Sequence, residues 1–257
     1  MGNDSLGDRM KMYEKRYSDS LMPLIPAFAR IDGKNFHAFT KGLEVPYDKR
    51  LSKCMTMLTE ALVKEFNAVI GYTQSDEITL SWNITDYRTE MVFGGKVNKL
   101  NSLIAAYASV QFQVLIRELI PEKNGSFPLF DCRVWNVPTL AEAVNVFLWR
   151  EQDAIRNSVQ MAARSVYSHK QCDNKDISQL YHMLLHKGID WDNYPTMFKR
   201  GTYIENKKLD IITDKFESTV VRKFGVLEIP PLNMLANKAE CLYGCSPPLM
   251  RESVSHA

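Results

Sequence analysis

The sequence predicts an α+β fold, a strand–helix–strand–strand–helix–strand core with an appended helical region. Three observations carry that expectation. LIPAFARI is an apolar run that reads as a buried strand, while ITLSW and FPLFDCRVW place apolar residues at every second position. The segments between them repeat apolar residues at helical spacing. The resulting order of elements is that of the ferredoxin-like split βαβ motif.

Each element has its own signal. Leu6, Met10, Tyr13 and Tyr17 predict a helix from about Ser5 to Tyr17. Pro23 and Pro26 punctuate the start of the first strand, which ends at Asp32. Leu51, Met55, Leu58, Leu62 and Phe66 mark an amphipathic helix over 48–67. AVIGY and ITLSW form a hairpin with Ile78, Leu80 and Trp82 inward, and its connection carries Ser75, Asp76 and Glu77. A helix from Lys99 to Ile120 stops at Pro121, and the fourth strand follows with Phe130, Cys132 and Val134 on one face. Thr139 and Glu142 form a capping box that opens one helix, Phe147 to Tyr167 is the next, and Asp176 to Lys187 ends at Gly188. We therefore expect a core over 1–135, a helical and strand elaboration packed on the same domain over 136–225, and a Pro-punctuated C-terminal tail over 226–257.

The totals fit a globular chain. Its 257 residues are 45% hydrophobic and 24% charged, with a formal net charge of +2. That charge does not announce a nucleic-acid binder, so any RNA contact comes from local patches or an oligomeric surface. There is no apolar stretch long enough to span a membrane. The charged N-terminus lacks the apolar block of a signal peptide, and Leu6 stands where a myristoylation motif needs Ser or Thr. Five scattered cysteines suit reduced thiols, and we expect a cytoplasmic protein.

Topology brings two aspartates together. A right-handed crossover makes strands one and two parallel, and strand three, antiparallel to both, inserts beside strand one. Asp32 ends strand one and Asp76 sits in the strand two–three turn, so both belong at one end of the sheet, within about 10 Å. Two such carboxylates repel unless protonated or bridged by cations. Mg²⁺ takes one or two carboxylates together with substrate phosphates, and a pair of ions clamps a phosphoryl displacement. Asp-Gly is also a common turn dipeptide and acidic hairpin turns are commonly solvated, so spacing alone leaves both readings open.

RIDGKNFHAF (30–39) and GYTQSDEITL (71–80) resemble the tRNA-His guanylyltransferase family, reverse polymerases that extend RNA at its 5′ end. The likeness continues through FGGKVNKLNS, FDCRVWNVP, FLWREQDAIRNS and DWDNYPTMFKRGTY, in order across nearly all of residues 5 to 205. The resemblance implies a polymerase-palm-like core and two Mg²⁺ ions held by Asp32, the carbonyl of Gly33, and Asp76, with Glu77 as an adjacent essential acid. It places Ser75, Lys99 and Asn157 on positions that handle nucleotide or the 5′ end. Arg30, Lys34, Asn35, Phe36, His37, Lys199 and Arg200 lie in matching blocks as further nucleotide or phosphate contacts. It also implies tRNA, ATP and GTP as partners, other nucleoside triphosphates as further substrates, and a homotetramer.

Two departures refine the expectation. Ile155-Arg156-Asn157-Ser158 stands where eukaryotic members carry His-Ile-Asn-Asn, which resembles the bacterial, archaeal and phage-type guanylyltransferase-like branch that repairs 5′-truncated tRNAs by templated addition. Val45-Pro46 replaces the Lys-Pro of many members, removing a cation that would bind triphosphate. The alternatives are a dedicated tRNA-His guanylyltransferase, another palm enzyme such as a cyclase or forward polymerase, and a non-catalytic RNA-binding module. His169 with Cys172 and Cys241 with Cys245 have zinc-compatible spacing, although small buried side chains explain them as well. Tyr72, Trp82, Phe130 and Trp135 read as core aromatics or as base-stacking surfaces.

Overall fold

A computed structural model describes residues 6–16, 18–213, 217–244 and 246–251. Four strands, β1 (Ala27–Gly33), β2 (Ile70–Gln74), β3 (Glu77–Trp82) and β4 (Phe130–Asn136), pair in the order β4-β1-β3-β2. Strand three does insert beside strand one, as the ferredoxin-like expectation requires. The sheet then continues through β5 (Thr202–Thr213) and β6 (Glu217–Leu227) to give six strands, with every pairing antiparallel.

Strand alternation assigns each face. Ala29, Ile31, Ile78, Leu80, Trp82 and Phe130 point into one core together with Leu58 and Leu62 of α3 (Lys49–Glu65) and Ile104, Ala108 and Phe112 of α4 (Val97–Leu119). Phe28, Ile70, Tyr72 and Tyr203 point the other way, against Val144 and Phe147 of α5 (Leu140–Val166). The helices cover the sheet because they carry apolar stripes, and both stripes are closed off: Asp48 caps α3, and the Thr139 side chain accepts from Glu142 N at 3.1 Å to open α5. The other half of that expected capping box is absent, since the Glu142 carboxylate accepts from Asn145 instead.

Several expectations need correction. The two helices expected between Thr139 and Tyr167 are one helix of 27 residues, because no Gly or Pro interrupts it. The helix α1 (Leu6–Lys15) forms, but none of its residues is buried; Ser5 and Tyr17 lie outside the described residues. Glu77 is not in the hairpin connection: it is the first residue of β3, paired with Gln74, so the turn is Ser75-Asp76 alone. The segment expected as a tail contributes Ile229, Leu232, Leu235, Cys241 and Leu242 to the second core, the last two from α9 (Lys238–Tyr243).

A third cluster builds the helical annex. Val159, Ala162 and Ala163 of α5 pack against Cys172 of α6 (His169–Cys172) and Leu180 and Leu184 of α7 (Ile177–His186). Trp191, Tyr194 and Phe198 lean on this cluster, the last from α8 (Thr196–Arg200). Gly201 then brings the chain back to the sheet at φ 79°; a Cβ there would lie 2.5 Å from the Thr73 carbonyl oxygen, so only glycine allows the approach.

Candidate active site

The register fixes the acids. Asp32 stands opposite Glu77 on one side and Asp131 on the other, and the Gly33 amide donates to the Asp76 carbonyl at 3.2 Å. The end of β1 is thereby tied to the hairpin turn. Ser75 occupies the left-handed region at φ 50°, which lets a two-residue turn deliver Asp76.

Asp32, Gly33, Ser75 and Asp76 form one wall of a cavity of about 570 Å³. Of the residues expected from sequence, Asp32, Gly33, Asn35, Phe36, His37, Ser75, Asp76 and Asn157 all line it. The opposite wall is Val45, Pro46 and Tyr47 with Met161, Met197 and Phe198. Tyr47 stacks on Phe198 at 4.8 Å, joining the loop before α3 to the annex. That loop is held by Asp48, whose carboxylate accepts from the Arg50 amide at 2.9 Å and from its guanidinium at 2.8 Å. The Arg50 fork holds the Asp48 carboxyl down at about 2. A second hollow of about 320 Å³ adjoins, bounded by Asp32, Asp76, Glu77, Asp153 and Asn157.

Charge is arranged around Glu77. Burial pushes its carboxyl above the usual range, against the pull of Arg150 and Arg30. Arg150 Nε lies 2.7 Å from Glu77 Oε1, a close ion pair whose angle falls outside hydrogen-bond geometry, and Arg30 Nε is 4.0 Å from the other oxygen. Arg150 also donates to Asp153; burial pushes that carboxyl up, but Arg156 and Arg150 outweigh it and hold it low. Asp76 is raised by burial, with the charge of Asp32 adding to the effect. This is the behaviour of a carboxylate pair that a bound cation would relieve.

Other expected contacts lie elsewhere. Lys34 is exposed beside the cavity mouth without lining it, and Arg30 faces Glu77 and Trp149. Lys99 is exposed in the first turn of α4, which starts beside Asp19 and Leu21 near the beginning of β1, the end of the sheet away from Asp32. The Lys199 amino group donates to the Asp192 carbonyl at 2.7 Å over the Trp191 ring. Arg200 donates to the Ile229 carbonyl and sits 3.8 Å from the buried Glu151, which also accepts from Tyr203 Oη and Leu232 N at 3.0 Å. Arg200 is thus a brace between annex, sheet and C-terminal segment. Tyr72, Trp82 and Phe130 are buried core aromatics and Trp135 stacks on Phe28. Among the described residues no three His, Cys, Asp or Glu side chains gather as a metal cluster, and Cys172 and Cys241 are buried in separate apolar clusters; Cys245 lies outside the described residues.

Sequence reasoning missed Arg150, Asp153, Tyr47 and Phe198. Arg150, Asp153, Ala154 and Asn157 follow at helical spacing, which signals one face of a helix, but only the topology shows that this face meets the acids.

A family model described as tRNAHis guanylyltransferase matches residues 7–138. An uncharacterised protein of Acanthamoeba polyphaga mimivirus is 31% identical over 242 residues, covering 85% of this chain and 82% of its own. A bacterial tRNA(His) guanylyltransferase-like protein in complex with ATP superposes with a TM-score of 0.78 at 31% identity, over 93% of this chain and 100% of that one. A bacterial protein of the same description in complex with GTP gives 0.72 at 30%, over 90% and 94%. With the palm-like core, the converging aspartates and the matched length, the chain belongs to the tRNAHis guanylyltransferase family of nucleotidyltransferases.

Proposed function

We propose that this protein extends the 5′ end of tRNA, or of tRNA shortened at that end, by templated 3′-to-5′ addition with GTP favoured. ATP or GTP first transfers its nucleotidyl group to the 5′-monophosphate with release of pyrophosphate, and the 3′-hydroxyl of the incoming nucleotide then attacks the activated 5′-phosphate and displaces AMP or GMP. The observation that carries this reading is the meeting of Asp32 and Asp76 at the floor of one nucleotide-sized cavity. The bacterial structures described as complexes with ATP and GTP support a nucleotide as its occupant.

The residues present fit Mg²⁺. Asp76, raised by burial beside Asp32, and the Gly33 carbonyl form an all-oxygen donor set open to the cavity. Bound there, a pair of Mg²⁺ ions would stabilise the attacking and leaving oxygens of the phosphoryl displacement. The chain supplies the rest. Ser75, His37 and Asn157 offer hydrogen bonds from three separate elements and orient the triphosphate. Arg150, 2.7 Å from Glu77, offsets part of the burial that raises its carboxyl and so favours negative charge at the edge of the site, where cations would gather. Tyr47, Met197 and Phe198 shield one side from water.

The make-up of the cavity's far side supports templating. Its far wall is apolar, and phosphate contacts carry no base information. Pairing with the opposite strand of the acceptor stem is then the remaining source of choice, in keeping with the Ile155-Arg156-Asn157-Ser158 block. The test uses a tRNA lacking its first nucleotide, Mg²⁺ and each nucleoside triphosphate in turn. Changing the opposing base from C to U should switch addition from G to A. Persistent G addition opposite every base identifies a dedicated tRNA-His guanylyltransferase instead. We also infer a homotetramer, in which exposed apolar side chains such as Leu6, Met10 and Tyr13 of α1 would be covered; sedimentation at the mass of a single chain refutes it.

A further inference from the structure

Trp149 is 47% exposed on α5, although side chains of its size are highly buried on average. It is not isolated. The Arg150 guanidinium lies 4.1 Å from the ring centroid and that of Arg30 5.9 Å, so two cations fix the indole in place. Arg30 is also 4.0 Å from Glu77, which puts the ring beside the acidic cluster. Arg133, 56% exposed and 3.9 Å from Asp32, stands opposite Arg30 on the neighbouring strand, so both project from the same face of the sheet.

Position decides what this group can hold. None of Trp149, Arg30 and Arg133 lines either hollow beside Asp32 and Asp76. A nucleotidyl transfer brings two substrates to the same acids, and the indole with its two guanidiniums stands outside the cavity assigned above to the nucleotide. Next to Glu77 and Asp32, outside both hollows, an open indole and two part-exposed guanidiniums offer stacking and phosphate pairing to that second substrate. We propose that Trp149 is the platform on which the 5′-terminal base of the RNA stacks, with Arg30 and Arg133 gripping the adjoining phosphates. This inference rests on the proposed function for the identity of the second substrate.

The test uses a 5′-monophosphorylated acceptor-stem hairpin with 2-aminopurine as its first nucleotide, whose fluorescence falls on stacking. Wild-type protein should quench it. Trp149→Leu should restore the emission and weaken hairpin binding by about tenfold, the usual worth of one base–aromatic stack. Trp149→Phe should keep most of the quenching. Binding of ATP, measured by calorimetry, should be the same in all three proteins. Unchanged quenching and hairpin affinity in Trp149→Leu would overturn the inference, as would a parallel loss of ATP binding, which would make the ring a structural support. If wild-type protein binds and quenches the hairpin but adds no nucleotide, the proposed function fails while the platform stands.

Discussion

Replacing Arg150 by Met exposes how Glu77 is kept charged. Arg150 is nearly enclosed, its side chain 6% exposed and that of Glu77 11%, and the nearest remaining cation, Arg30, is 4.0 Å away. Removing one member of a buried pair costs about 3–5 kcal/mol when the other must stay ionised. Glu77 has an escape, because it can take a proton. From an ordinary value of 4.5, neutralisation at pH 7 costs about 3 kcal/mol, at about 1.4 kcal/mol per pH unit, and sets the ceiling. The wild-type carboxyl is already raised by burial, so part of that cost is present before the change. We therefore expect Arg150→Met to lose about 2 kcal/mol at pH 7, read by urea unfolding. The sign follows from linkage: a carboxyl whose folded pKa is raised loses stability as pH climbs from its unfolded value through the folded one. The variant, with a pKa raised further, should fall away from wild type with rising pH and come nearest to it below about pH 4.5. Adding Glu77→Gln should recover most of the loss, since the uncompensated charge is gone. A loss below about 0.5 kcal/mol, or one independent of pH, would show that Glu77 does not depend on Arg150 for its charge.

Asp32→Asn and Asp76→Asn should each abolish nucleotide addition, while thermal stability in metal-free buffer holds or rises because carboxylate repulsion is relieved; substantial activity in either variant would sink the two-metal site. With Val45, 74% exposed, on the cavity wall in place of a family lysine, RNA bearing a 5′-triphosphate should react faster than RNA bearing a 5′-monophosphate under single-turnover conditions, and equal rates would show activation uncompromised. Asp48→Asn should cost about 1–2 kcal/mol near neutral pH, discounted for the half-open Arg50, and weaken ATP binding by loosening the 41–48 wall. Because the Asp48 carboxyl is held at about 2, that difference should persist above pH 4 and vanish as pH falls through that value; a constant difference to pH 2 would contradict the clamp. Gly201→Ala should disturb β2–β5 pairing through its clash with the Thr73 carbonyl, seen as faster amide exchange at Tyr203.

The core was legible because its signals are local. Alternation in ITLSW and FDCRVW identified the inward faces of β3 and β4, and handedness rules then placed Asp32 and Asp76 at one end of the sheet. The acids could be placed for the same reason: Asp32 lies at the end of β1 and Asp76 in the short turn between β2 and β3. What stayed hidden depends on contacts between distant segments. Nothing local in Lys199-Arg200 says that their cations are spent on Asp192 and Glu151, and nothing local in the Pro-punctuated C-terminal segment says that Leu232 and Leu235 fill a cavity under α5. The place of Lys99 was hidden too: its block is identifiable from neighbouring residues, whereas its distance from Asp32 is set by the length and direction of α4. Glu77 shifted from turn to strand by a single position, within the usual uncertainty of element ends.

Gly201 bears on how the site can move. Counting along the backbone, Phe198 of the aromatic wall is four residues before Thr202, which pairs with Thr73, and Asp76 is three residues beyond Thr73. The wall and the acid are therefore two short arms hinged on one rung of the ladder, with a glycine pressed against that rung. Swinging α8 outward would unzip the rung and drag the acid with it. The 41–48 loop has no such linkage to the ladder; beyond its stacking on Phe198 it is held by Asp48, by the buried Leu43 and by Lys123, which donates to the Lys41 carbonyl. A nucleotide entering the proposed site would thus meet a one-sided door, with the jamb built into the sheet and the leaf carried by Val45, Pro46 and Tyr47.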